Sequence, residues 1–477
     1  MKGFGVAAMN KHLGTLNWFG IVRLGLVQAM LGAVVVLTTS TLNRVMVVEL
    51  ALPALLPGLL VALHYAVQLT RPRMGFGSDQ GGRRTPWIVG GITTLAIGGA
   101  LAALATTWMA TDRAAGIALA ALAFTLVGFG VSAGGTSLLV LLAKRVEEPR
   151  RASAAAVVWV MMIIGFAVTA GTAGKFLDPY TPQRLVAVSS VVSFIAVCGT
   201  LLALWGLEGH GHSAPAPHKE RQRFLPALAE VWKEADARRF TVFVFVSMLA
   251  YSTQDLILEP FAGSVFAFTP GASTQLSGVQ HGGTLAGMLL AALAGRRIHG
   301  LNLGSLKTWT VLGCLASGLA LLGLVLAGAL APNWPLKANV FALGVANGAF
   351  SIAAIGSMMS LAGGNQQADG GREGTRMGLW GAAQAIGFAS GGLFGAAASD
   401  LARWLLGNQA LGYASVFLIE ALMFVAAAWL ASKVRGTEHA MSQSPARALH
   451  QSAEVARSSS SSTARADLPG LQPEGTS

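Results

Sequence analysis

Apolar runs of about twenty residues recur along this chain, each long enough to cross the hydrocarbon core of a bilayer as a helix. Twelve such runs predict an all-α membrane protein. Six fall at roughly 22–43, 53–71, 87–107, 116–142, 154–174 and 184–206, and six more at roughly 240–260, 276–294, 307–330, 338–361, 378–398 and 411–432. The polar stretches between and around them divide the chain into a start at 1–21, a first six-helix bundle at 22–206, a linker at 207–239, a second bundle at 240–432 and a tail at 433–477. The tail carries the serine run Ser458 to Ser462, and its polarity predicts disorder. The linker holds His210, His212 and His218 among Pro, Gly and Ser, a composition that favours a solvated connector over a metal site.

Charge sharpens the picture. Only 11% of residues are charged, about half the share of a typical soluble protein. The net charge of +12 is topological rather than a nucleic-acid footprint, because the basic residues sit in short loops on one side. With both termini inside, Arg71, Arg73, Arg83, Arg84, Lys144, Arg145, Arg150, Arg151, Arg296, Arg297, Arg372, Arg376, most of the linker and the tail are cytoplasmic. Only Arg44, Arg113, Lys175, Arg184, Lys337 and Arg403 face outward. Cys198 and Cys314 lie in separate apolar runs, which offers neither a disulfide framework nor a metal site. The polar start, with no small-residue cleavage site after the first run, does not read as a cleaved signal peptide.

Between the second and third runs lies Gly75-Phe76-Gly77-Ser78-Asp79-Gln80-Gly81-Gly82-Arg83-Arg84. Its glycines allow a tight reversal, Asp79 can cap a helix or pair with an arginine, and Arg83 and Arg84 hold the turn inside. This turn resembles the loop joining helices two and three of the major facilitator superfamily. Between the eighth and ninth runs, Ala294-Gly295-Arg296-Arg297-Ile298-His299-Gly300 repeats the glycine and basic pair without the aspartate. The echo predicts two pseudo-symmetric six-helix bundles, the fold that the resemblance implies.

No hydrolytic triad, phosphate loop or metal cage is legible, so polar groups inside the bilayer are the informative positions. Glu420 interrupts the last run. It is either a coupling or ligand-binding carboxylate, or a protonated acid bonded to a neighbouring helix. His64, with Gln68 one turn on, lies in helix two, where its imidazole is either a metal ligand or a buried histidine satisfied by a neighbour. His281 lies near the outer end of helix eight. Gln254, Asp255 and Glu259 stand at the outer end of helix seven before a helix-ending Pro260, and are either punctuation or partners of Arg44, which lies beside Asn43 and before Glu49 in helix one. Helices one, four and five have no mid-membrane acid, which weakens an ordinary proton-symporter reading. The small residues from Gly128 to Ser137 suit either close helix packing or a flat wall for a planar, apolar ligand.

Four stretches together resemble one branch of that superfamily, the PucC/LhaA (bacteriochlorophyll delivery) family. They are Thr39-Ser40-Thr41-Leu42-Asn43-Arg44-Val45-Met46-Val47-Val48-Glu49-Leu50, the turn Gly75 to Arg84, Gln254-Asp255 with Leu258-Glu259-Pro260, and Arg376-Met377-Gly378-Leu379-Trp380-Gly381-Ala382-Ala383-Gln384. The likeness runs from about residue 20 to 432. It implies a non-enzymatic inner-membrane protein that helps assemble light-harvesting antenna complexes, binding, delivering or inserting bacteriochlorophyll. Its implied partners are the bilayer, the pigment or a precursor, antenna polypeptides, and the reaction-centre core or pigment-synthesis enzymes. His64, Gln68 and His281 are then tetrapyrrole-ligand candidates. Gly75, Asp79, Gly82, Arg83 and Arg84 serve a conformational turn, and Asn43, Arg44, Glu49, Gln254, Asp255, Glu259, Gln384 and Glu420 are the intramembrane or gate polar groups. The rival expectations are a proton-coupled transporter of a small solute and a pigment-free chaperone of antenna polypeptides.

Overall fold

The computed structural model describes residues 16–71, 83–147, 150–208, 232–294, 305–363 and 373–434. Gly75, Asp79 and Gly82, the second basic turn at 295–300, the linker histidines and the serine-rich tail lie outside the described residues. Among the described residues twelve long helices form: α1 (Trp18–Glu49), α2 (Leu55–Thr70), α3 (Thr85–Trp108), α4 (Arg113–Arg145), α5 (Arg151–Leu177), α6 (Pro182–Leu204), α7 (Ala235–Phe266), α8 (Pro270–Ala294), α9 (Leu306–Leu330), α10 (Leu336–Gly363), α11 (Glu373–Leu406) and α12 (Gln409–Ser432). Ten are long and apolar enough to cross a membrane; α2 is too short for that measure, and α8 carries too many polar groups.

Helix starts follow local chemistry. Asn17, Asp112, Thr181, Ser305 and Asn408 cap α1, α4, α6, α9 and α12, each accepting from the amide three residues on, a bond worth ~1 kcal/mol. The residues before α2 and α3, Ala54 and Arg84, give no side-chain cap of their own. A carboxylate from another helix region serves each instead. Asp400 of α11 accepts from the Ala54 and Leu55 amides at 3.0 and 2.7 Å, and Glu208, just after α6, accepts from those of Arg84 and Thr85 at 2.5 and 2.7 Å.

The helices segregate into two bundles. In the first, α3 packs on α4 and α6, α1 on α5 and α6, and α2 on α4; in the second, α7 packs on α11 and α12, α8 on α10, and α9 on α10 and α12. Lipid tails supply no hydrophobic drive between helices, so close backbone approach carries much of the packing. A Cβ on Gly91 of α3 would stand 2.3 Å from the Gly134 amide nitrogen of α4, and one on Gly348 of α10 would stand 1.9 Å from the Thr284 carbonyl oxygen of α8. Part of the Gly128–Ser137 stretch is thereby consumed in packing. The bundles meet along α2–α11 and α5–α8, and along α1–α7 near one end of the molecule. We call this the far end; the other, where residues 71 and 83 emerge, is the turn end.

Two helices depart from their apolar runs. α7 continues through Pro260 to Phe266, and α8 already begins at Pro270. Asp255 and His281, expected near outer helix ends, therefore lie in mid-span, and Glu259 lies about two turns inside the end of α7. Gln254, Asp255 and Glu259 broke the apolar pattern without breaking the helix. A proline inside a membrane helix is tolerated where the carbonyl it frees finds another donor.

Candidate functional site

That carbonyl is the start of the site. Pro260 has no amide hydrogen to give to Leu256 one turn earlier, and the Leu256 oxygen instead accepts from Asn43 Nδ2 of α1 at 2.5 Å. Asn43 and Arg44 are presented between two π-helical turns, Leu37–Thr41 and Val45–Glu49, a local irregularity often found at functional positions. Both side chains are buried. The Arg44 guanidinium comes so close to Gly263 that a Cβ there would stand 3.0 Å from its Nε and Nη2; it pairs with Glu49 and donates to the Phe268 carbonyl at 2.5 Å. The pairing of Arg44 with Asp255 or Glu259 expected from the sequence is not formed among the described residues. Glu259 sits one helical turn away from Gly263 and is taken by the Ser277 hydroxyl of α8 at 2.5 Å. Thr41 and Thr274 close the same seam at 3.1 Å.

Toward mid-span the seam becomes aromatic. Tyr65 of α2 stacks on Phe388 of α11 with centroids 5.5 Å apart, and Tyr251 of α7 meets the same ring edge-on at 5.9 Å. Asp255, half-buried beside them, accepts from Gln280 Nε2 at 3.0 Å. Deeper in the second bundle, Gln254 and Glu420 are both fully buried, and neither the amide nor the carboxylate has a protein partner among the described residues. Gln384 donates weakly to the Met248 sulfur at 3.9 Å.

The two intramembrane histidines differ. Gln68 Nε2 lies 2.8 Å from His64 Nε2, while Gln68 Oε1 accepts from Arg71. That second bond orients the amide, so Gln68 donates to His64 and occupies the Nε2 lone pair. His281 is reversed. Its Nδ1 lies 2.8 Å from the Ser277 carbonyl oxygen, which can only accept, so the ring proton is on Nδ1 and Nε2 keeps its lone pair. The ring packs against the Phe166 ring of α5 at 4.9 Å, T-shaped.

At the turn end, Arg83 is exposed and Arg84 buried. Burial alone would raise the Glu208 carboxyl, but the Thr85 hydroxyl, the Arg84 and Thr85 amides and the Arg83 charge together bring it below its ordinary value. Sequence reasoning missed Ser277, Gln280, Tyr65, Tyr251, Phe388 and Glu208. The first two had a readable signal, since Ser277, Gln280, His281 and Thr284 fall at i, i+3, i+4 and i+7 on one face of a helix. No cluster of three or more His, Cys, Asp or Glu able to hold a bare metal ion occurs among the described residues.

Two polar-seamed six-helix bundles define the major facilitator fold class. A D-xylose–proton symporter matches with a TM-score of 0.67 at 14% identity, over 88% of this chain and 98% of that one. A structure of proton-dependent oligopeptide transporters gives 0.64 at 14%, over 87% and 98%. Within that class the chain belongs to the PUCC protein family, whose pattern matches residues 41–439. It is 53% identical to the "Bacteriochlorophyll synthase 44.5 kDa chain" of Rhodobacter capsulatus over 420 residues, 88% of this chain and 96% of that one. It is 30% identical to Protein PucC of the same organism over 428 residues, 85% and 90% of the two chains.

Proposed function

We propose that this protein is a non-enzymatic assembly factor for bacterial light-harvesting complexes that binds bacteriochlorophyll or a precursor and delivers it to antenna polypeptides. It would work in the inner, photosynthetic membrane with both termini cytoplasmic, which puts the turn end inside. The carrying observation is the mid-span seam, where an aromatic stack and a neutral imidazole with a spare lone pair stand between two bundles, and none of these groups forms a nucleophile–base pair. The family and the name borne by its 53% identical relative support pigment as the cargo. That name includes the word synthase; in our reading the chain serves pigment handling without covalent chemistry. The test is purification in mild detergent from a pigmented phototroph and a near-infrared absorption spectrum. A bacteriochlorophyll band that co-purifies in fixed stoichiometry is expected. Its absence would transfer the role to a pigment-free chaperone of antenna polypeptides.

A second reading has its own observation. Asp255, Glu259 and Glu420 put three carboxyl groups inside the bundles, where their hydrogen bonds among the described residues come only from an amide and a hydroxyl. Such groups suit proton coupling, as in a secondary transporter of a small solute. Uptake by proteoliposomes driven by a pH step, and lost in Glu259→Gln, would favour it.

A further inference from the structure

The geometry points to His281 as the axial ligand for a metal already held inside a planar tetrapyrrole, with Nε2 the coordinating atom. The inference rests on the pigment reading above and decides which side chain recognises the pigment, and by what chemistry.

Three observations carry it. First, the Ser277 carbonyl fixes the imidazole proton on Nδ1. A backbone carbonyl on one ring nitrogen is the usual device that sets the tautomer and orientation of a metal-ligating histidine and makes the other nitrogen more basic. Second, no described protein group bonds Nε2, and that atom is not among the sealed, unpartnered ones, whereas His64 Nδ1 is. His64 is thus closed on both sides: Gln68 occupies one nitrogen and burial seals the other. Third, His281 stands alone as a donor. A bare zinc ion takes three or four protein ligands and bare magnesium takes oxygen ligands rather than a lone imidazole, and no cluster of three or more His, Cys, Asp or Glu occurs among the described residues. A magnesium or zinc held by four macrocycle nitrogens lacks only one or two axial ligands, so a single neutral imidazole completes it. An aromatic wall adjoins the histidine. Phe166 stands edge-on to the histidine and itself rests on Gly32 of α1, where a Cβ would come within 2.8 Å of it. Both rings lie on the α5–α8 seam, the contact that changes when two bundles rock.

The discriminating property is metal dependence. Full-length protein in nanodiscs would be titrated with bacteriochlorophyll a and with its magnesium-free counterpart, bacteriopheophytin a. The wild type is expected to prefer the magnesium pigment by ~10-fold or more. His281→Leu should bind both pigments equally, and His64→Leu should keep the preference. His281→Gly should regain it when free imidazole is added, an outcome that a purely structural role for the histidine does not predict. If neither substituted chain folds, the wild-type pair of titrations still decides, since equal binding of the two pigments overturns the axial bond. Retention of the preference in folded His281→Leu also overturns it. A wild type that binds neither pigment overturns the pigment reading itself, a separate outcome.

Discussion

The two ends of this molecule are held together in different ways. Between described residues, the hydrogen bonds that cross from one bundle to the other lie in the far half. They are Asn43 to Leu256, Arg44 to Phe268, Thr41 to Thr274, Asp400 to Ala54 and Leu55, and Thr269 to Asp178. At the turn end the corresponding bonds stay within one bundle: Leu16 to Arg145, Arg145 to Glu208, Glu208 to Arg84 and Thr85, and Arg23 to Ala203 and Trp205. The far end is therefore a latch between bodies, and the turn end is a set of braces within the first bundle. Parting at the turn end would break no hydrogen bond between described residues, so that end is expected to open first.

The comparison fails if Arg44 is dispensable. Arg44→Ala removes a buried guanidinium that serves Glu49 and the Phe268 carbonyl, and should cost about 3 kcal/mol. Spin labels placed on α1 and α7 at the far end should report a broader, longer distance distribution by pulsed electron resonance. An unchanged distribution would show that the latch lies elsewhere.

Glu208→Gln should cost about 1 kcal/mol, the worth of a helix cap, without changing any distance between bundles. It also carries a pH signature. The Glu208 carboxyl is held below its ordinary value in the folded protein, so its contribution is complete above the unfolded carboxylate range, roughly pH 4–5. That contribution is lost as pH falls through the folded value. Thermal unfolding followed from neutral to acidic pH should show that loss in the wild type and a flatter limb in the variant. A loosened bundle interface in Glu208→Gln would erase the distinction between brace and latch. The smallest effect belongs to Thr41→Val with Thr274→Val. Removing both hydroxyls deletes one neutral bond and leaves no orphan, so a shift within about 1 kcal/mol is expected, again read as a distance at the far end.

Much of this fold was legible. Apolar run length located all twelve helices, and the paired basic turns pointed to the two-bundle repeat. What was not legible has a common cause. Asn43 and Arg44 were recognisable as buried polar groups beside Glu49, but their partners across the seam are the Leu256 and Phe268 carbonyls, which every residue type possesses. No side-chain pattern announces them. The depth of Asp255 and His281 was misplaced, and the helix runs on past Glu259, because hydropathy measures transfer of isolated groups. In the folded chain, Gln280 and Ser277 of α8 meet the two acids, which lets a polar stretch continue as a helix. The two histidines were distinguishable only once Gln68, Arg71 and the Ser277 carbonyl had fixed their protons.

One consequence of Pro260 concerns descent rather than mechanics. The proline in one half and Asn43 in the other share a single carbonyl, that of Leu256. Replacing Pro260 alone gives α7 an amide that reclaims the carbonyl and strands the Asn43 side chain inside the membrane. Replacing Asn43 alone strands the carbonyl. Each single step leaves an unmet polar group where water cannot help, so the two positions are bound to be inherited, or abandoned, as a pair.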